Sequence, residues 1–216
     1  MSRLITFGCS FTYGHGLPDC NIGDDSGLNP SKLAWPNLLS DKMNRSVVNL
    51  SRGGSGNTEM LWRLLNFDFQ PDDFCVIMWS YFIRAERYRY LYDNINGVIL
   101  PRDTAGMLEE EPMFTQNNSI KNLLAMSHAS YYLTAKNISS YACVGPARPP
   151  GTSILPWTQE IIIPNCIKIS NLDPTYSIYS HYVDTGLDKQ HPGIKSHASI
   201  AESLYKKIVE VDNVLY

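Results

Sequence analysis

The sequence predicts an α/β fold, a three-layer α/β/α sandwich built on a mostly parallel sheet, and three observations carry that reading. Short apolar runs alternate with segments of helical period, the pattern of strands joined by crossover helices. Each run is almost continuously apolar, as in strands covered on both faces. The 216 residues are 44% hydrophobic and 18% charged, with no long linker. That is enough for one core burying roughly 70% of the unfolded surface, so disorder is excluded and a single domain over 1–216 is expected.

The first strand is Leu4 to Phe7, followed by a broken polar stretch from Cys20 to Lys32. A second strand spans Val47 to Leu50. Asn57 then stands as an N-cap before Met60, Leu61, Leu64 and Leu65 at helical spacing, a helix that should lie on the sheet. Phe74 to Trp79 is the third strand. After a polar segment from Ile95 to Asn118, Ser119 to Lys136 places Ile120, Leu123, Leu124, Ser127 and Tyr131 on one helical stripe. Ser140 to Val144 is the fourth strand, and Ile167 to Ile169 a less regular fifth. Pro146, Pro149, Pro150, Gly151 and Pro156 exclude regular structure between them. A last helix, Ser196 to Val209, buries Ala201, Leu204, Tyr205 and Ile208. The three long connections read equally as solvated loops and as walls of a site.

Eighteen Lys and Arg against 21 Asp and Glu give a net charge of -3, without the basic run that would track a phosphate backbone. Nucleic acid is therefore not an expected ligand. No stretch reaches the roughly 18 apolar residues that span a bilayer, and the amino terminus lacks the apolar core of a secretory signal. Five cysteines, Cys9, Cys20, Cys75, Cys143 and Cys166, include no C-x-x-C pair. A disulfide framework and a zinc knuckle are both poor fits, and a reducing, cytoplasmic setting is the simpler expectation.

Two segments carry chemistry. Ser10, in Phe7-Gly8-Cys9-Ser10-Phe11-Thr12-Tyr13-Gly14, follows the first strand directly. Ligands of open α/β sheets gather at the carboxyl ends of strands, where a serine has free backbone N–H groups beside it. A serine after a glycine also suits an ordinary turn. Asp188-Lys189-Gln190-His191-Pro192 precedes the last helix. The three-residue offset lets the Asp188 carboxylate accept from the His191 imidazole and leave its other nitrogen as a base. The same pair also reads as a helix cap beside a surface histidine.

Together, the amino-terminal Gly-Cys-Ser-Phe-Thr-Tyr-Gly and the carboxy-terminal Asp-x-x-His-Pro resemble the blocks of the SGNH/GDSL hydrolases, in the same order over nearly the whole chain. The resemblance implies a flavodoxin-like sheet and hydrolysis of carboxyl esters through an acyl-serine, with Ser10 as nucleophile, His191 as base and Asp188 as its orienting acid. It implies no cofactor and no metal, and a small-molecule or carbohydrate ester as substrate, with small acyl groups such as O-acetyl. In the turn Asn49-Leu50-Ser51-Arg52-Gly53-Gly54-Ser55-Gly56-Asn57, Gly54 matches the glycine that offers its N–H to the oxyanion, beside the N–H of Ser10. A phosphate loop is a poor alternative, since the Walker Lys-Ser/Thr ending is absent. Short chains of this type also resemble proteins encoded by bacteria and their phages.

Two departures stand out. Cys9 replaces the usual Asp before the nucleophile. The third block, whose Asn donates to the oxyanion, reads Trp79-Ser80-Tyr81-Phe82-Ile83, with Phe82 at the Asn position. Losing such a donor costs about 10²- to 10³-fold in rate. Asn57 and Ser80 are the candidate replacements, each equally readable as a helix cap or a strand end. The missing Asn and the tyrosine-rich stretches Tyr81 to Tyr92 and Tyr176 to Tyr182 motivate a rival reading, a non-catalytic glycan-binding or structural module on the same scaffold. Acyl transfer to another alcohol shares the acyl-serine and is not separable by sequence. Arg84 and Glu86 suit a substrate clamp or a surface pair. Cys9 reads as packed, His15 as a possible pocket residue, and His128, His181 and His197 lack partners at metal-ligand spacing. The oligomeric state is left open.

Overall fold

A computed structural model describes residues 2–20, 29–80, 112–145, 172–173, 176 and 178–214, with 112–119 and 210–214 described by backbone only. Five parallel strands form one sheet in the order β2-β1-β3-β4-β5. They are β1 (Arg3–Phe7), β2 (Ser46–Asn49), β3 (Phe74–Trp79), β4 (Ser139–Val144) and β5 (Leu172–Asp173). The helices are α1 (Ser10–Tyr13), α2 (Trp35–Met43), α3 (Asn57–Leu65), α4 (Pro112–Ala135) and α5 (Ile194–Val214), with a 3₁₀ turn at Ile178–His181. The α/β expectation holds, and strands one to four fall within a residue of their expected limits.

Alternation along the strands builds the layers, because successive side chains leave opposite faces. Leu4, Val76 and Met78 point to one face and pack with Trp35 and Leu39 of α2 and Ile200, Leu204 and Ile208 of α5. Ile5, Phe7, Cys75, Ile77 and Trp79 point to the other and pack with Met60 and Leu64 of α3 and Met126, Ala129 and Leu133 of α4. Chain order reverses between β1, with β2 on one side, and β3, on the other. Open α/β sheets place their ligand crevice at such a switch point, at the strands' carboxyl ends, and Ser10 follows β1 there.

Several expectations are corrected. Helix α2 was not foreseen; its short apolar set and Pro36 in the first turn give only a brief periodic signal, although proline there is a start signal. Helix α4 begins at Pro112, so the last part of the expected polar segment is helical. The stripe read on α4 is rotated. Leu123 and Ala125 are buried, but Ile120, Leu124 and Tyr131 are exposed, and Met126, Ala129 and Leu133 pack on the sheet instead. Gly56, not Asn57, is the N-cap of α3. The expected strand Ile167 to Ile169 and the proline-rich segment beyond Gly145 lie outside the described residues.

Candidate active site

The Ser10 turn is built by local packing. Strand β1 stops at Phe7, Gly8 and Cys9 turn the chain, and Ser10 opens the single turn of α1. Position 8 must be glycine, because a Cβ there would lie 2.0 Å from Thr12 Oγ1. The Cys9 carbonyl accepts from the N–H groups of Thr12 (3.0 Å) and Tyr13 (2.9 Å), and the Ser10 carbonyl from those of Gly14 (3.0 Å) and His15 (3.1 Å). The Ser10 N–H, at a helix start, has no intrahelical acceptor. Cys9 is packed in the core at 1% exposure, consistent with an inert thiol.

The histidine turn is a closed loop. Thr185 and Pro192 form an antiparallel bridge. The Gly186 N–H donates to the His191 carbonyl at 2.8 Å, and the Gly193 N–H to the Asp184 carbonyl at 3.0 Å. The loop docks directly beside the Ser10 turn, the Leu187 N–H donating to the Gly16 carbonyl at 2.7 Å. Two glycines permit this approach. A Cβ on Gly186 would lie 2.6 Å from Gly16 O, and one on Gly16 would lie 2.7 Å from Asp188 Oδ1.

Docking brings the three expected side chains into line. His191 Nε2 lies 2.9 Å from Ser10 Oγ, and His191 Nδ1 lies 2.5 Å from Asp188 Oδ2. Asp188 Oδ1 accepts the N–H groups of Gln190 and His191, each at 3.0 Å. Burial opposes ionisation of this carboxyl, but those two amides and the His191 ring outweigh it and hold it below the usual carboxylate range. An ionised Asp188 is acceptor-only, so Nδ1 carries the ring proton and Nε2 is free to accept from the serine hydroxyl. Phe11 and His15 wall the imidazole, their ring centroids 5.2 and 5.6 Å from that of His191.

The reading of Asp188 as a helix cap does not describe its contacts. Asp184 caps α5 instead, its carboxylate accepting the N–H groups of Ser196 (2.8 Å) and Lys195 (3.1 Å). Burial resists the ionised Asp184, yet these donors lower its pKa.

The glycine-rich loop lies beside the Ser10 turn, the Arg52 N–H donating to the Gly8 carbonyl at 3.1 Å. Gly54 has φ +76, and a Cβ built on it meets nothing within 4 Å, so its backbone borders open space. Beneath the loop, the buried Glu59 carboxylate pairs with Arg52 and Arg63, each at 3.3 Å. Arg63 also donates to the Leu50 carbonyl at 2.8 Å.

Asn57 and Ser80 are brought to each other. The Ser80 N–H donates to Asn57 Oδ1 at 2.8 Å, and Asn57 Nδ2 donates to the Ser80 carbonyl at 3.4 Å. Both residues are 0% exposed. The pair ties the start of α3 to the end of β3. Phe82, Arg84, Glu86 and Tyr81 to Tyr92 lie outside the described residues. Of the second tyrosine group, Tyr176 is packed in the core, and Tyr182 donates to the Gln190 carbonyl at 2.8 Å. Among the described residues no group of three His, Cys, Asp or Glu is placed to hold a metal, and no helix is long and apolar enough to cross a membrane. Sequence reasoning missed Asp184, and also Asn49 and Gly16, which reach Thr6, Thr12 and Asp188 far along the chain.

No protein-family model matches the sequence, and no curated protein matches it significantly. Solved structures do. An acetyl xylan esterase from the rumen bacterium Butyrivibrio proteoclasticus is 13% identical with a TM-score of 0.59, covering 98% of this chain, which spans 64% of that protein's length. A carbohydrate acetylesterase from Sinorhizobium meliloti is 11% identical with a TM-score of 0.52, over 98% of this chain and 100% of the other. A protein of the G-D-S-L family from Desulfitobacterium hafniense is 11% identical with a TM-score of 0.51, over 94% and 98%. The chain has the fold of the SGNH/GDSL esterases.

Proposed function

We propose that the protein is a serine hydrolase of carboxyl esters, and one observation supports this most: Ser10, His191 and Asp188 stand in hydrogen-bonded series at the switch point of the sheet. Ser10 Oγ attacks the ester carbonyl while His191 Nε2 takes its proton, forming the Oγ–C bond and an oxyanion. Asp188 stabilises the imidazolium. The N–H groups of Ser10 and Gly54 receive the oxyanion. Collapse breaks the C–O bond to the alcohol, which leaves with the His191 proton, and water then releases the acid by the same steps reversed in role. The cycle needs no cofactor and no metal.

An O-acetyl group on a carbohydrate is the substrate class proposed, in line with the acetyl xylan esterase and the carbohydrate acetylesterase of the same fold. Asn57 and Ser80, the candidate replacements for the third-block donor, are hydrogen-bonded to each other where α3 starts and β3 ends. The rival reading, a binding module without turnover, is motivated by that same missing donor. Hydrolysis of p-nitrophenyl acetate separates the two: the wild-type protein should turn it over, and Ser10→Ala, folded by circular dichroism, should lose at least about 10³-fold in kcat. Equal rates in the two proteins would reject the serine mechanism.

A further inference from the structure

Between the two loops that meet at Ser10 stands a carboxamide that the chemistry above does not use. Asn49, the last residue of β2, lies in register beside Thr6 of β1. Its Oδ1 accepts three donors: Thr6 Oγ1 at 3.2 Å, the Ser51 N–H at 3.1 Å and Ser51 Oγ at 2.5 Å. Its Nδ2 donates to the Thr12 carbonyl at 3.1 Å. Three donors on one atom and an acceptor on the other fix which is oxygen and which nitrogen. The oxygen therefore holds the start of the glycine-rich loop and the end of β1, and the nitrogen holds the turn that begins with Ser10.

From this geometry we infer that Asn49 is a positioning residue, a cross-strut that sets the Ser10 turn against the loop carrying Gly54. The role in catalysis rests on the esterase reading; the strut itself does not. Both proposed oxyanion donors are main-chain groups, one at the start of α1 and one on the glycine-rich loop, so their separation is set by whatever joins the two segments. Two backbone bonds, Leu50 N–H to Thr6 O at 2.8 Å and Arg52 N–H to Gly8 O at 3.1 Å, join the glycine-rich loop to the chain before Ser10. Asn49 reaches the chain after it. A misplacement of about 1 Å at a reacting centre costs on the order of 10²-fold in rate.

Asn49→Asp separates the two halves of the strut, since a carboxylate keeps the acceptor for Ser51 and Thr6, loses the donor to Thr12 and sets two oxygens against each other. The expected result is a kcat lower by about 10- to 100-fold with KM for p-nitrophenyl acetate within about twofold of wild type. Hydrogen exchange should quicken in peptides covering 8–14 and stay unchanged in those covering 50–56. Asn49→Ala should quicken both. If the wild-type protein turns over the ester and Asn49→Asp matches its kcat, the inference is overturned. If the wild-type protein proves inactive, the esterase reading falls, and unchanged exchange over 8–14 in Asn49→Asp overturns the strut independently.

Discussion

Glycine at position 16 shows how closely the two halves of the site are fitted. Its φ of +83 lies in the left-handed region, where a side chain costs about 1–2 kcal/mol. A Cβ would also press on the Asp188 carboxylate, 2.7 Å from Oδ1. Gly16→Ala should therefore displace the acid that orients His191, not merely weaken the fold. The expected outcome is a loss of about 10²-fold in kcat, with thermal denaturation showing a much smaller relative change; a variant that keeps wild-type kcat contradicts the docking described. Ser10 and the Asp188/His191 pair were legible because each lies within a few residues of its own structural signal, a strand end and a three-residue offset. Gly16 and Asn49 were not, because their meaning is set by partners far along the chain. Asn49 bonds Thr6 across 43 residues and Thr12 across 37.

Among the elements, α2 and α5 are joined by a histidine in its neutral form. His197 of α5 is 0% exposed and accepts the Trp35 N–H at Nδ1, 3.1 Å away, one of the N–H groups that a helix start leaves without a partner. Burial, opposed in part by Asp184 and reinforced by His191, holds its pKa down to about 4. In the unfolded chain the ring protonates near 6.5, so between those values the unfolded state binds a proton that the folded state does not. The stability that this neutral ring contributes is present above pH 6.5 and is lost as pH drops toward 4, about 3 kcal/mol in all. Urea unfolding at pH 7 and pH 4.5 should show most of that loss in the wild-type protein and a flatter dependence in His197→Asn, whose side chain can still accept from Trp35. Equal slopes in the two proteins would contradict a buried neutral histidine. The facing of α4 was not legible for a different reason. Apolar residues occupy both its sides, and periodicity alone cannot choose Met126, Ala129 and Leu133 over Ile120, Leu124 and Tyr131.

At the scale of the molecule, the sheet was legible because parallel strands buried on both faces leave continuous apolar runs. Phe74 to Trp79 is the clearest case, with all six residues buried. The site follows from strand order: β1 lies between β2 and β3, which puts the Ser10 turn at the crevice, and the loop ahead of α5 closes over it through Gly16 and Gly186. This closure sets His191 Nε2 against the Ser10 hydroxyl, which on the esterase proposal makes that hydroxyl a nucleophile. Its most direct test is intact-protein and peptide mass spectrometry after exposure to a fluorophosphonate probe. The expected result is one adduct per chain, on Ser10, formed by the wild-type protein and slowed by at least about 10³-fold in His191→Ala. An unmodified Ser10, or an equal labelling rate without the imidazole, would contradict that proposal.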